Sequence, residues 1–331
     1  MPHLGFFVLL LASTGRAETQ LSTPSIPKHW GGPRFTGKKI LVTGGDSGIG
    51  LAAVEAFFYE CGSVMIHGHS EVKTKAAWSN ISAMPPPTGC TTQPKLGWAA
   101  VDISNASAVK QLVHDTVEQL GGMDVAVNNA GTAGNDFSDS QIGDAGFLDY
   151  FAHSGEMKVN VQGTLNCMHE QLQFWNSTHT PGVMVNVASI AGLTGWIGPS
   201  YTTSKWAMIG FSKQAALNYA RHGIRVNVLA PGAVETPMLR NGMAPDDPRW
   251  LRERAMIEAP IPVGRIGQPW EMAGPITFLA SDMSSYLSGH VLTADGGATG
   301  ANPWMNHAAP SPSPPAASFG IGDVLRDEVV V

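Results

Sequence analysis

The amino-acid sequence predicts an α/β protein built on one doubly wound parallel sheet. Three observations carry that reading. Short, continuously apolar runs such as KKILVTG (Lys38–Gly44) read as strands buried on both faces, which is how parallel strands look in sequence. Longer stretches of helical length separate them, so strands and helices alternate along most of the chain. The first strand then runs into a glycine-rich turn, TGGDSGIG (Thr43–Gly50), at the opening of a βαβ unit.

Taken in order, IGLAAVEAFFYE is an apolar helix ending at Cys61–Gly62, and Ser63–Gly68 (SVMIHG) is the second strand. Residues 71–95 hold a helix start and then an irregular insertion marked by MPPPTG. LGWAAVDIS supplies the third strand, ending at Asp102, and Asn105 or Ser107 can cap the amphipathic helix that runs to Leu120. Met123–Gly131 is the fourth strand with its loop, and one long helix is expected around FLDYFAHSGEMKVNVQGTLNCMHEQL. Gly182–Ser189 is the fifth strand. The helix bearing Tyr201 and Lys205 runs to about Arg221, GIRVNVLAPG is the sixth strand, and PWEMAGPITFLA with GHVLTADGG closes the sheet as helix and seventh strand.

Composition limits the partners. Twenty Lys and Arg against 26 Asp and Glu give a net charge of −6 over 331 residues, which argues against a nucleic-acid or anionic-membrane partner and leaves a small molecule. Cys61, Cys90 and Cys167 are odd in number and widely spaced, so no disulfide framework and no metal-ligand pair is expected. His67 and His69 lack an identifiable third ligand, so no metal is expected there either. No apolar run has the length of a membrane span. Residues 1–17 carry a short apolar core, Leu4–Ala12, with Gly15 and Ala17 at cleavage spacing, whereas the leading MPH has no Lys or Arg. A secretory or organelle-targeting leader and an unprocessed cytoplasmic leader both remain open. Asn80, Asn105 and Asn176 each head an N-x-[ST] triplet, which matters only on the secretory reading. Residues 18–34 read as a linker, 35–299 as a single domain, and 300–331 as a Pro/Ala/Ser-rich tail.

The chemistry concentrates in Ser189–Lys205, SIAGLTGWIGPSYTTSK. Tyr201 and Lys205 are four apart, on one face of a helix. A free phenol has a pKa of about 10, and a cation held beside it favours the phenolate, so the pair can move a proton near neutral pH. In the glycine turn, Gly44, Gly48 and Gly50 allow a sharp bend and a close approach of backbone to a pyrophosphate at a helix N-terminus. No Gly-Lys-Ser/Thr follows, which excludes a P-loop.

TGGDSGIG, NNAG, the Ser…YxxxK stretch and PGAVETPM, in this order, resemble the short-chain dehydrogenase/reductase family in its common single-domain branch. The resemblance covers roughly residues 35–299 and implies a Rossmann-type fold, a nicotinamide cofactor and hydride exchange with a ketone or secondary alcohol, in the manner of a 3-oxoacyl or similar carbonyl reductase. It makes Tyr201 the general acid/base and Lys205 its pKa-lowering partner and a ligand of the nicotinamide ribose. Ser189 orients the substrate oxygen, and Asn160 holds a water of the proton relay. On the cofactor side it assigns Gly44, Asp46, Ser47, Gly48, Ile49 and Gly50 of the turn. Asn129, Ala130 and Gly131 line the adenosine-ribose side, Asp102 and Ile103 meet the adenine, and Pro231, Gly232, Val234 and Thr236 hold the nicotinamide end. It implies a homotetramer or homodimer.

Three departures stand out. Ser189 precedes Tyr201 by twelve positions, one fewer than the family pattern. The stretch from Gly131 to Asn160 is longer than usual. The second strand ends in Gly68 where an acid would hold the NAD ribose, and His69 follows, so NADP(H) is the expected preference with NAD(H) possible, although Ser47 replaces a common arginine. A catalytically inactive dinucleotide-binding regulator of the same fold is the alternative, and a scaffold acting through the tail is a third reading. Trp196, Met238, Leu239, Met243 and Trp250 suit either an apolar substrate pocket or the packing of a lid.

Overall fold

The computed structural model describes residues 32–85, 87–133, 142–195 and 198–300; the 1–17 leader, Trp196 and all but the first residue of the tail lie outside them. Seven strands, β1 (Lys39–Thr43), β2 (Ser63–Gly68), β3 (Leu96–Ala100), β4 (Val125–Asn128), β5 (Gly182–Val187), β6 (Ile224–Pro231) and β7 (Val291–Ala294), form one sheet in the order β3-β2-β1-β4-β5-β6-β7. Every pairing is parallel. The chain leaves β1 in one direction and returns at β4 on its other side. This switch point opens a crevice beyond the C-terminal ends of the strands, where ligands of such sheets bind.

The helices are α1 (Gly48–Tyr59), α2 (Glu71–Ser82), α3 (Ala106–Leu120), α4 (Phe147–His153), α5 (Thr164–Thr178), α6 (Pro199–Tyr219), α7 (Pro248–Glu258) and α8 (Pro269–Ala280). Alternation along the strands sorts them into two layers. Ile40, Val42, Val64, Ile66, Val127 and Val185 pack with α1 and α8, while Leu41, Met65, Ala126, Met184 and Val226 pack with α3, α5 and α6. Both faces are covered, which is why the strands carry no polar stripe. Ala52 and Ala56 of α1 meet Ala273 of α8, small residues that let the two helices approach closely.

The local signals resolve as follows. Asn105, not Ser107, caps α3: its Oδ1 accepts from the N–H groups of Ser107 (3.0 Å) and Ala108 (3.2 Å). The single long helix expected after the fourth strand is three pieces. α4 stops at Ser154, a π-helical turn spans Glu156–Gly163, and α5 follows. The wider turn brings Asn160 onto the buried side, where its amide bonds the loop after β4 and α6.

Two further contacts escaped the sequence. Cys61 and Cys90 form a disulfide, contrary to the expectation of none. The cause is topological: β2 and α2 carry the chain away and bring it back, so Cys90 in the insertion returns to the C-terminal end of α1. Arg34, placed in the linker by the sequence, clasps the fully buried Glu60 with Nε at 2.5 Å and Nη2 at 2.6 Å, and reaches Thr277 of α8 at 3.0 Å.

Candidate active site

The glycine turn is fixed from three sides. Thr43 Oγ1, at the end of β1, accepts from the N–H groups of Asn129 and Ala130, both at 3.1 Å. Asn129 Nδ2 donates back to the carbonyls of Thr43 (3.2 Å) and Gly44 (3.0 Å). On the other side, the Gly44 N–H donates to His67 Nδ1 at 3.4 Å, and His67 Nε2 lies 3.0 Å from the Val101 carbonyl. Burial depresses the His67 pKa to about 4, against the bond to Val101, so the ring is neutral and bridges the turn to β3. His67 is thus a brace between the glycine turn and the end of β3.

α1 rises directly from the turn. A Cβ at Gly50 would stand 1.9 Å from the Gly44 carbonyl oxygen, so only glycine lets the helix start there. Ser47 makes no side-chain cap, and the first turn has no acid, so its free N–H groups suit an anion such as a pyrophosphate. Ile49 is partly buried against the apolar core and Ser47 is exposed. The carboxylate of Asp46 points to the end of β2, where a Cβ on Gly68 would lie 2.3 Å from its Oδ2. His69 is exposed just beyond. Asp102 is exposed at the end of β3, its Oδ1 accepting from the Ser104 N–H at 2.9 Å, while the Ile103 side chain is buried against Gly163.

The loop after β6 closes over the turn. Pro231 pairs with Ala294, and a Cβ on Gly232 would meet Asp295 Cα at 2.8 Å. Val234 forms an isolated parallel bridge with Gly267, and the Glu235 N–H donates to the Gly267 carbonyl at 2.9 Å. Thr236 Oγ1 accepts from the Leu239 N–H at 3.1 Å, and its methyl group lies 3.1 Å from where a Cβ on Gly48 would stand. The loop therefore faces the start of α1 across the crevice. Leu239, Met243 and the fully buried Trp250 pack with Ile261 and Ile266 as a lid core, leaving Met238 exposed.

The reactive groups sit deeper. Ser189 follows β5, buried, with Oγ accepting from the Ala191 N–H at 3.1 Å. It shares a hydrogen bond with the Tyr201 phenol. Lys205 is buried one turn along α6, its Nζ 3.3 Å from the Val187 carbonyl and 5.5 Å from the centre of the Tyr201 ring. A Cβ on Gly131 would stand 3.6 Å from that Nζ and 3.1 Å from Asn160 Oδ1, so the NNAG loop, the π-helical turn and α6 meet at one point. Asn160 accepts from the Thr132 N–H (2.8 Å) and donates to the Thr132 carbonyl (2.8 Å) and Ser204 Oγ (3.0 Å).

The electrostatics differ from the sequence expectation. Burial pushes the Tyr201 phenol up to about 12, outweighing the Ser189 hydrogen bond that lowers it, with the buried Glu156 adding to the rise. Burial likewise brings Lys205 down to about 8. Desolvation is the largest effect on each of the two groups. At neutral pH the pair is a neutral phenol beside an ammonium, a state prepared to give a proton to a substrate oxygen.

These features agree with relatives of known activity. The family description Enoyl-(Acyl carrier protein) reductase matches residues 44–299. The chain is 36% identical over 266 residues to 2,5-dichloro-2,5-cyclohexadiene-1,4-diol dehydrogenase of Sphingobium indicum, covering 80% of this chain and 98% of that one. The chain belongs to the short-chain dehydrogenase/reductase family. Its identity to the 3-oxoacyl-[acyl-carrier-protein] reductase FabG of Thermotoga maritima is 33% over 265 residues, covering 80% and 98% of the two chains. The crystal structure of levodione reductase superposes with a TM-score of 0.70 at 27% identity, over 81% of this chain and 100% of that one. As a member of this family the protein is an oxidoreductase that uses NAD(P)(H) and acts on alcohol or ketone groups.

Sequence reasoning missed several supporting residues of this dehydrogenase/reductase. Thr43, His67, Thr132 and Ser204 hold the assigned residues in place without matching a motif quoted above for their role. Ser204 was within reach, being the residue before Lys205 and on the buried side of α6. Asn128 is another. Its Nδ2 donates to Gln171 Oε1 and Asn186 Oδ1, both at 2.9 Å, and Asn186 donates to Ser212 Oγ at 2.8 Å. This buried chain locks α5 and α6 to β4 and β5, and so sets the depth of Tyr201 and Lys205.

Proposed function

We propose that the protein reduces a ketone to a secondary alcohol, with Tyr201 as the proton donor. The observation that carries this reading is the meeting of Ser189, Tyr201, Lys205 and Asn160 at the crevice, with Ser189 hydrogen-bonded to the phenol and Lys205 one turn along the same helix. The nicotinamide cofactor supplies the hydride. Ser189 donates to or accepts from the substrate oxygen and aims it at Tyr201. Lys205 provides the positive charge beside the phenol and a donor for a ribose hydroxyl at Gly131. Asn160 holds Thr132 and Ser204 in register, and with them the floor beneath Lys205. The start of α1, Asn129–Gly131 and Pro231–Thr236 line the dinucleotide seat. Gly68 and His69 on their own favour NADP(H), and the Asp46 carboxylate stands beside Gly68.

Relatives acting on a cyclic diol and a 3-oxoacyl group support a carbonyl reductase whose substrate is chosen by the loops at 193–200 and after Thr236. The intact Asn160, Ser189, Tyr201 and Lys205 set gives no support to an inactive regulator. Tyr201→Phe should abolish turnover across a carbonyl panel and leave dinucleotide binding, read by nucleotide fluorescence, within about threefold. Retained turnover would sink the mechanism.

We also infer an oligomer, since α5 exposes Leu165 and α6 exposes Trp206 and Leu217. A monomer in light scattering at micromolar concentration would refute it. The Cys61–Cys90 disulfide supports an oxidising compartment and therefore the targeting reading of residues 1–17. Fractionation of cells expressing the full chain tests this, and recovery in the cytosol alone would overturn it.

A further inference from the structure

The end of β2 carries a carboxylate that its own sequence lacks. Gly68 is the last residue of β2 and bonds β3 through its carbonyl, which accepts the Val101 N–H at 3.1 Å. A Cβ there would lie 2.3 Å from Asp46 Oδ2, 2.6 Å from Asp46 Cγ and 2.3 Å from Thr74 Oγ1. The volume that a side chain at position 68 would take is therefore occupied by the carboxylate of residue 46, delivered across the crevice from the glycine turn. The turn cannot easily withdraw it, because the Gly45 N–H is tied to the His67 carbonyl at 2.7 Å. Asp46 is half-buried, and among the described residues no Lys, Arg or His stands within ion-pair distance of it. Burial raises its carboxyl pKa, against a hydrogen bond from its own backbone N–H, the nearby Lys73, a hydrogen bond from Ser47 and the nearby His69, none of which forms a contact ion pair with it.

We propose that Asp46 makes this protein prefer NAD(H), by accepting a hydrogen bond from the 2′-hydroxyl of the adenosine ribose and repelling a 2′-phosphate. The proposal rests on the dinucleotide seat assigned above. A carboxylate at the end of the second strand performs this role in dinucleotide folds generally; here the same position in space is reached from a different position in the chain. Half-burial strengthens both effects, since a charged acceptor is worth more and a like charge is tolerated less where water is partly excluded. The competing arrangement, His69 and Lys73 gripping a 2′-phosphate, would have to form around the Asp46 charge.

The test is equilibrium binding of NADH and NADPH to the full-length protein, with AMP and adenosine 2′,5′-bisphosphate as displacing fragments. The wild type should bind NADH at least about tenfold more tightly than NADPH, and AMP should displace better than the bisphosphate. Asp46→Ser should remove most of that ratio, chiefly through a gain in NADPH affinity, and His69→Ala with Lys73→Ala should leave it in place. A wild type that favours NADPH, or a ratio unchanged in Asp46→Ser, overturns the proposal while leaving the seat intact. The fragment comparison on the wild type decides the matter even if the Asp46 variant does not fold. Binding of neither dinucleotide would overturn the seat itself.

Discussion

Replacing Lys205 by Met should make the protein inactive and more stable. The ammonium is buried, and its pKa falls from 10.5 in a free chain to about 8 in the fold, a difference worth about 3 kcal/mol at 1.36 kcal/mol per unit. Below pH 8 both folded and unfolded chains carry the proton, so the folded state bears this penalty in full. Between pH 8 and 10.5 the unfolded chain binds more protons than the folded one, so wild-type stability rises with pH and the penalty fades. Methionine keeps most of the volume and removes the charge, at the loss of the hydrogen bond to the Val187 carbonyl, which is worth about 1 kcal/mol. The net gain is about 2 kcal/mol at pH 7, or a melting temperature about 4–8 °C higher for a domain of this size. Differential scanning calorimetry on nucleotide-free protein at pH 7 and pH 10 reads both halves of the argument. A variant that melts lower than the wild type at pH 7, or an equal shift at both pH values, would refute it.

Three further outcomes follow from buried polar contacts. Arg34→Ala leaves the Glu60 carboxylate buried without its partner and should cost about 3–5 kcal/mol by urea denaturation, and adding Glu60→Gln should recover much of that loss. Reducing the Cys61–Cys90 bond, which closes a loop with a sequence separation of 29, should cost about 3.6 kcal/mol on a chain-entropy account, checked by melting with and without reductant; an unchanged melt would count against the bond. His67 has a folded pKa of about 4, so the unfolded chain gains protons first as pH falls below 6.5, and stability should drop between pH 6.5 and 4. His67→Gln should flatten that part of the stability profile, and a profile identical to the wild type would show that another group is responsible.

The sequence carried the sheet, the order of its strands and helices, and the four motifs that meet in the crevice, because each is a local pattern. Apolar runs mark strands buried on both faces, and glycines mark places where backbones touch. What it did not carry depends on distant parts of the chain. Cys61 and Cys90 became partners only through the path of β2 and α2, and Asp46 became the acid of β2 only because Gly68 leaves room across the turn. The break in the long helix was half legible, since Ser154–Gly155 and Gly163 flank the π-helical turn, yet the periodicity around them continued the helix.

Tyr201 and Lys205 show the same division within one motif. Spacing alone places phenol and ammonium on one face of a helix, and from spacing alone the ammonium should lower the phenol's pKa. The sign of the outcome is set by depth. Asn128, Gln171, Asn186 and Ser212 draw α5 and α6 onto the sheet, Asn160 and Ser204 close the floor, and Lys205 is buried while Tyr201 is partly so. The phenol then rises and the ammonium falls, each toward its neutral form. Substituting the buried amides, for instance Asn186→Leu, should therefore alter the pH profile of turnover through the depth of α6, although none of them touches the reacting atoms. A pH profile identical to the wild type in a folded Asn186→Leu protein would separate depth from catalysis and leave the helical spacing as the whole cause.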